Sequence, residues 1–148
     1  MAEDRAKESQ LWAWLKSGVA KLGRPAHVHR IEDVTKSGTP DVEGVVENGR
    51  AFWCELKVAY EQPTRGTVRV KTTVHQVYFA LRRRKAGGLS WYLIRVGTGR
   101  DVRHYLVDGC YAEELLDKPV PVARLAELTC CRPSSSAAEI IMAASQAI

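Results

Sequence analysis

Residues 37–57 read "SGTPDVEGVVENGRAFWCELK", and the fold turns on how this stretch is read. Two runs rich in β-branched and aromatic residues, Val42–Glu47 and Arg50–Val58, flank Asn48-Gly49. That arrangement predicts a β-hairpin closed by a type I′ turn, whose two central residues both need positive φ. In the second arm Phe52, Cys54, Leu56 and Val58 fall on one side, and Trp53, Glu55 and Lys57 on the other, because successive side chains of a strand alternate. A carboxylate and an ammonium therefore share one face, opposite the apolar one. Charges inside a strand pattern are costly unless they face water or serve a site.

The turn also sets the register. A two-residue turn pairs Glu47 with Arg50 and so Val42 with Glu55, which leaves Asp41 on the wrong face to meet Glu55. A β-bulge at Gly44, or strong twist at the strand end, is the expected remedy.

Before the hairpin, Leu11, Trp12, Leu15, Val19 and Leu22 recur at three- and four-residue steps, which predicts an amphipathic helix over 5–22 that stops at Gly23. Residues 27–34, "HVHRIEDV", read as a strand. After the hairpin, Tyr60–Lys71 is a polar loop with Pro63 and Gly66. A second helix is expected over 72–86, with Val74, Val77, Tyr78 and Leu81 inward and Gly87-Gly88 as its stop. "LSWYLIRV" (89–96) is an apolar strand of the fully buried kind, and "RDVRHYLVD" (101–108) follows as another. Helical patterns at 111–116 and 122–128 come next. The order implies an α/β fold, a mixed β-sheet with flanking helices. One domain over 1–129 and a C-terminal arm over 130–148 are expected, the arm opening with Pro and Ser and closing on an apolar run.

The chain has 148 residues and a formal net charge of +5, a mild excess that suits a polyanionic partner without requiring one. Its first ten residues are too polar for a signal peptide, and no stretch approaches a membrane span, so a cytoplasmic protein with no membrane partner is expected. The four cysteines, Cys54, Cys110, Cys130 and Cys131, lack zinc-finger spacing and read as reduced thiols.

Asp41, after Pro40, and then Glu55 and Lys57 form the pattern P-D, thirteen residues, E-L-K. Two carboxylates at the ends of adjacent strands can hold one hard divalent cation. A lysine on the face of the glutamate can orient or deprotonate the attacking water, or stabilise charge on a phosphoryl centre. Here the chain resembles the PD-(D/E)XK nuclease superfamily, and "SGTPD…ELK" is most similar to its VRR-NUC branch, related to Holliday-junction resolvases. The resemblance covers about residues 5–108.

It implies a restriction-endonuclease-like core and Mg²⁺ or Mn²⁺ held by Asp41, Glu55 and the Leu56 carbonyl. It further implies Lys57 as the catalytic lysine, Glu8 on the first helix completing the site, and Gln76 supporting it. The expected function is Mg²⁺-dependent DNA endonuclease, selective for branched DNA or a Holliday junction. A non-catalytic DNA-binding module and an RNA-cleaving nuclease are the alternatives. Arg69, Lys71, Arg82, Arg83, Arg84 and Lys85 are the expected contacts to the nucleic-acid backbone.

Asp33 is a candidate ligand for a second metal. Glu43 and Glu47 are expected to be solvated, His27 and His29 structural, and Trp53 packed beneath the first helix. The apolar residues Ile140, Ile141, Met142 and Ile148 of the arm are expected to dock on a second copy, giving a homodimer.

Overall fold

The structure, a computed structural model, describes residues 2–32, 38–97 and 99–148. The first helix, α1 (Ala2–Ser17), leads through a 3-10 turn to Gly23, which takes φ 68° and ends the helical stretch as its sequence predicts. A five-stranded sheet follows. Its members are β1 (Ala26–Arg30), β2 (Val42–Val46), β3 (Phe52–Ala59), β6 (Leu89–Val96) and β7 (Arg103–Asp108), in that spatial order. β3 and β6 are parallel and the other neighbours antiparallel, so the sheet is mixed.

Between β3 and β6 the chain makes β4 (Glu61–Gln62), β5 (Thr67–Arg69) and α2 (Val74–Lys85). After β7 come α3 (Ala112–Leu115), β8 (Pro119–Pro121), α4 (Val122–Leu128) and α5 (Ala137–Ser145). The segment expected as a polar loop, 60–71, instead pairs with β8 in a small sheet ordered β4-β5-β8. Strands of two or three residues leave too little periodicity to be seen in a sequence.

Alternation along the central strands builds a core on each face. Phe52, Cys54, Leu56, Trp91, Leu93 and Leu106 meet Leu11 and Leu15 of α1 on one side. Tyr92, Ile94, Val96, Tyr105 and Val107 meet Val77 and Ala80 of α2 and Leu125 of α4 on the other. Both faces are covered, so the Glu55 and Lys57 side of β3 is not open to water as the hairpin alone suggested. The four cysteines are free thiols.

The hairpin differs from expectation in its turn. Val42 pairs with Cys54, Glu43 with Trp53 and Gly44 with Phe52 in a regular ladder with no bulge at Gly44. This register centres on Asn48, so Glu47, Asn48 and Gly49 together form the connection. Gly49 N–H closes the turn on the Val46 carbonyl at 2.8 Å, and only Asn48 takes the left-handed conformation, at φ 65°. The extra turn residue does what the bulge was invoked to do: it moves Asp41 opposite Glu55, on the same face. Gly49 is small for a different reason, since a Cβ there would meet Ser145 Cβ and Oγ at 2.9 Å.

That contact corrects the C-terminal arm as well. Residues 130–148 are not appended: Ile140, Ile141 and Ala144 are buried in the α1-side core. Trp91 Nε1 donates to the Ala144 carbonyl at 2.9 Å, and Arg50 N–H to the Ser145 carbonyl at 2.8 Å. Apolar residues far along the chain need not lie far from the sheet; of the four expected to dock on a second copy, Ile140 and Ile141 are buried within the chain, Met142 is half-buried and Ile148 is 99% exposed.

The inward face of α2 keeps two of the four residues expected there, since Val77 is buried and Leu81 packs against the core. Val74 and Tyr78 are 55% and 62% exposed, whereas Val77 and Ala80 are buried. The helix turns Gln76 and Arg84 towards the sheet, and polar contacts there outweigh two apolar side chains.

Candidate active site

Asp41 ends the turn Gly38–Asp41, where its carbonyl accepts Ile31 N–H at 2.7 Å and so ties it to the exit of β1. Its Oδ2 accepts the backbone N–H of Leu56 at 2.9 Å. The pairing of β2 with β3 stops at Val42 and Cys54, which leaves the edge of β3 at Leu56 to this carboxylate. In an extended strand the N–H and C=O of one residue point to the same side, so the Leu56 carbonyl faces Asp41 too.

Glu55 is only 5% exposed. Its Oε1 accepts Gln76 Nε2 at 3.0 Å and lies 3.7 Å from Lys57 Nζ, while Oε2 is buried with no hydrogen-bond partner. Burial pushes the Glu55 carboxyl well above the ordinary carboxylate range. The charges of Asp41 and Glu8 push the same way, and Lys57 opposes them. The Asp41 and Glu55 carboxyl groups thus sit close enough for the charge of one to act on the other.

Lys57, 7% exposed, donates to the Lys71 carbonyl and, at 3.0 Å, to Gln76 Oε1. An ammonium has three N–H donors, so a third remains for a substrate or water. Gln76 holds the centre of the arrangement. Its Oε1 accepts from Lys57, from Thr72 Oγ1 at 3.1 Å and from Thr73 N–H at 3.0 Å, and this fixes its amide NH₂ on Glu55. Gln76 N–H in turn bonds Thr73 Oγ1 at 3.1 Å, completing a capping box at the start of α2. Behind it Tyr92 OH lies 2.9 Å from Thr72 Oγ1. Burial pushes the Tyr92 phenol up to about 12, so it is a neutral donor at physiological pH.

The expected residues therefore converge in most cases. Asp41, Glu55, Leu56, Lys57 and Gln76 form one cluster. Glu8 lines a cleft of about 620 Å³ that opens at Lys57, and it acts on Glu55 through its charge. Among the described residues no three His, Cys, Asp or Glu side chains form a metal-holding group. The donors available for a cation are two carboxyl groups and one carbonyl, all oxygen, and the orphaned Glu55 Oε2 is a buried acceptor that a hard cation would satisfy. Asp33 lies outside the described residues.

Arg69 and Lys71 line the same cleft, and Arg65, which was not anticipated, joins them. The spacing 65, 69, 71 in "TRGTVRVK" was the available signal. Thr72 and Thr73 were missed too, although T-x-x-Q ahead of the helix is a capping-box signature.

Arg82, Arg83 and Lys85 are exposed on α2. Arg84 is not: it is turned inward over the Trp91 ring at 4.7 Å, with Nη2 2.7 Å from Asp108 Oδ2. The angle of that contact is not a hydrogen bond's, so it is a charge contact. Its position opposite a buried strand removes Arg84 from the backbone-binding set. Trp53 meets Phe79 of α2 edge-on at 5.4 Å, not α1, because it points to the α2 face.

No protein-family model matches the chain, and no curated protein matches it closely enough to count as a relative. Among the described residues no helix is long and apolar enough to cross a membrane.

Proposed function

We propose that the chain is a divalent-metal-dependent nuclease that hydrolyses phosphodiester bonds in DNA. One observation carries the reading. Asp41 and Glu55 meet at the open edge of β3 while Lys57 and Gln76 are clamped beside them, although nothing in a bland strand face would call for two near-buried charges. The order helix, three antiparallel strands, helix and parallel strand agrees with the PD-(D/E)XK resemblance.

Asp41, Glu55 and the Leu56 carbonyl would hold Mg²⁺ or Mn²⁺, which when bound would supply Lewis-acid activation of water and charge neutralisation at phosphorus. Lys57 directs its remaining N–H at the attacking water or at a phosphoryl oxygen, where negative charge builds. Gln76 holds Lys57 and Glu55 side by side and in place. Arg65, Arg69 and Lys71 bind backbone phosphates along the cleft, and Arg82, Arg83 and Lys85 extend that surface over α2. Water attacks phosphorus, the P–O3′ bond breaks, and the products carry a 5′-phosphate and a 3′-hydroxyl.

A panel of duplex, flap, four-way junction and single-stranded DNA, with RNA of the same sequences, tests this in Mg²⁺, Mn²⁺ and EDTA. Cleavage of DNA with either metal and none in EDTA is expected, and Lys57→Ala should lose at least about 100-fold in rate. Binding with no cleavage in any metal would identify a non-catalytic module, and cleavage confined to RNA would move the substrate.

A further inference from the structure

A second cleft, of about 580 Å³, lies at the far ends of β6 and β7. Trp14 of α1, Arg95, Val102, His104 and the serines 134 and 135 bound it. Arg95 is paired in register with Val58, and Val58 lines the active-site cleft, so the two clefts adjoin across the ends of the parallel strands. Alternation sends Arg95 to the α1 face and Lys57 to the other.

The Arg95 guanidinium is half-buried and has no carboxylate partner among the described residues. Its Nε donates to His104 Nε2 at 3.0 Å. His104 stacks on Trp14 with ring centroids 3.8 Å apart and planes 2° from parallel, and the Arg95 guanidinium carbon lies 5.6 Å from the Trp14 ring centre. Burial and then the Arg95 charge hold His104 down to about 4, so at neutral pH it is an uncharged acceptor. One donor of the guanidinium is thereby fixed and its orientation set, and the two Nη groups remain.

Among the described residues no carboxylate lines the cleft. The hydroxyls of Ser134 and Ser135 have no hydrogen-bond partner among the described residues, and Ser135 is 9% exposed. The start of α5 adds nothing, because Ser136 and Glu139 close it with their own capping box.

A half-buried cation without a counter-charge carries a desolvation cost that ring contact offsets only in part. A planar pair of N–H donors in a cleft that two free hydroxyls also line fits the oxygens of a tetrahedral oxyanion. We infer that this cleft binds a phosphate group, through Arg95 with Ser134 and Ser135, at a site separate from Asp41 and Glu55. The inference stands whether or not the chain cleaves nucleic acid.

Titrating the ¹⁵N-labelled full chain with inorganic phosphate tests it by NMR. The Arg95 Nε–H and the Ser134 and Ser135 amides should shift and saturate. Arg95→Gln should weaken binding at least about tenfold. Arg100→Gln, which removes a charge next to Gly99 of the cleft wall, should change it less than about twofold. The double variant Ser134→Ala with Ser135→Ala should weaken binding severalfold, which guards against a misfolded Arg95→Gln. No saturable shift, or equal weakening by Arg95→Gln and Arg100→Gln, overturns the site. Oligonucleotides with and without a 5′-phosphate then separate the sources. Tighter binding of the phosphorylated strand assigns a nucleic-acid end, and no difference assigns a small phosphate ester.

Discussion

Glu55 holds a carboxyl group where water cannot reach it, against the charge of Asp41. The folded state therefore binds its proton more tightly than the unfolded chain does. The stability linked to that proton is fully present below the ordinary value of 4.5 and is lost as pH rises through the raised folded value. In metal-free buffer near neutral pH, Glu55→Gln should be at least as stable as the wild type, with a flatter profile of melting temperature against pH. Mg²⁺ should raise the melting temperature of the wild type and not of this variant. A metal-independent melting temperature in both would remove the cation from the site. Lys57→Ala is a different case, because it leaves Glu55 and Gln76 without their cation. It should cost about 1–3 kcal/mol in urea unfolding besides abolishing cleavage.

Among the elements, α2 does two jobs with one residue. Gln76 closes the capping box and clamps Lys57 against Glu55, so the helix start and the site share their hydrogen bonds. Thr73→Ala should cost about 1 kcal/mol, near 3 °C in a domain of this size, and lower activity through a loosened Gln76. A drop in melting temperature with unchanged cleavage would uncouple the two. At its other end, Arg84→Ala should lose about 1 kcal/mol of stability and leave the salt dependence of DNA binding unchanged. Arg82→Gln with Arg83→Gln should flatten that dependence by about two phosphate contacts and barely touch stability. Equal salt slopes for the two variants would mean that the exposed arginines do not meet the backbone.

At the scale of the whole molecule, α5 returns the end of the chain to the hairpin. Its buried Ile140 and Ile141 alone are worth roughly 3–6 kcal/mol of apolar burial, a large share of the stability of a single domain. A chain ending at Cys130 should therefore unfold or aggregate near room temperature, and an unchanged urea midpoint would show the helix to be dispensable. Gly49→Ala probes the same junction from the other side. Its Cβ would press on Ser145, at an expected cost of about 1–3 kcal/mol. With Ile140 and Ile141 committed inside the fold, Met142 in part and Ile148 are what the arm leaves for a second copy.

What could be read from residues alone was what neighbours in the chain decide. Alternation in 52–58 placed Glu55 and Lys57 together, the three- and four-residue steps of 5–22 marked the first helix, and the mainly apolar run 89–96 marked a strand buried on both faces. P-D and E-L-K named Asp41, Glu55 and Lys57 because their chemistry is local to those side chains. Contacts between distant segments were beyond that reach. The turn at 47–49 has one residue more than the sequence suggested, and α5 packs on its Gly49, 96 residues before Ser145 in the chain. The same three-residue connection goes with the register that brings Asp41 opposite Glu55. On α2 Val77 and Leu81 face inward as their spacing predicted, whereas Val74 and Tyr78 are exposed and Gln76 and Arg84 meet partners on β3, β6 and β7. Local periodicity carries the preference of each element for one buried face. Which partner covers that face, and so which polar groups are buried with it, is decided only when the whole chain has closed.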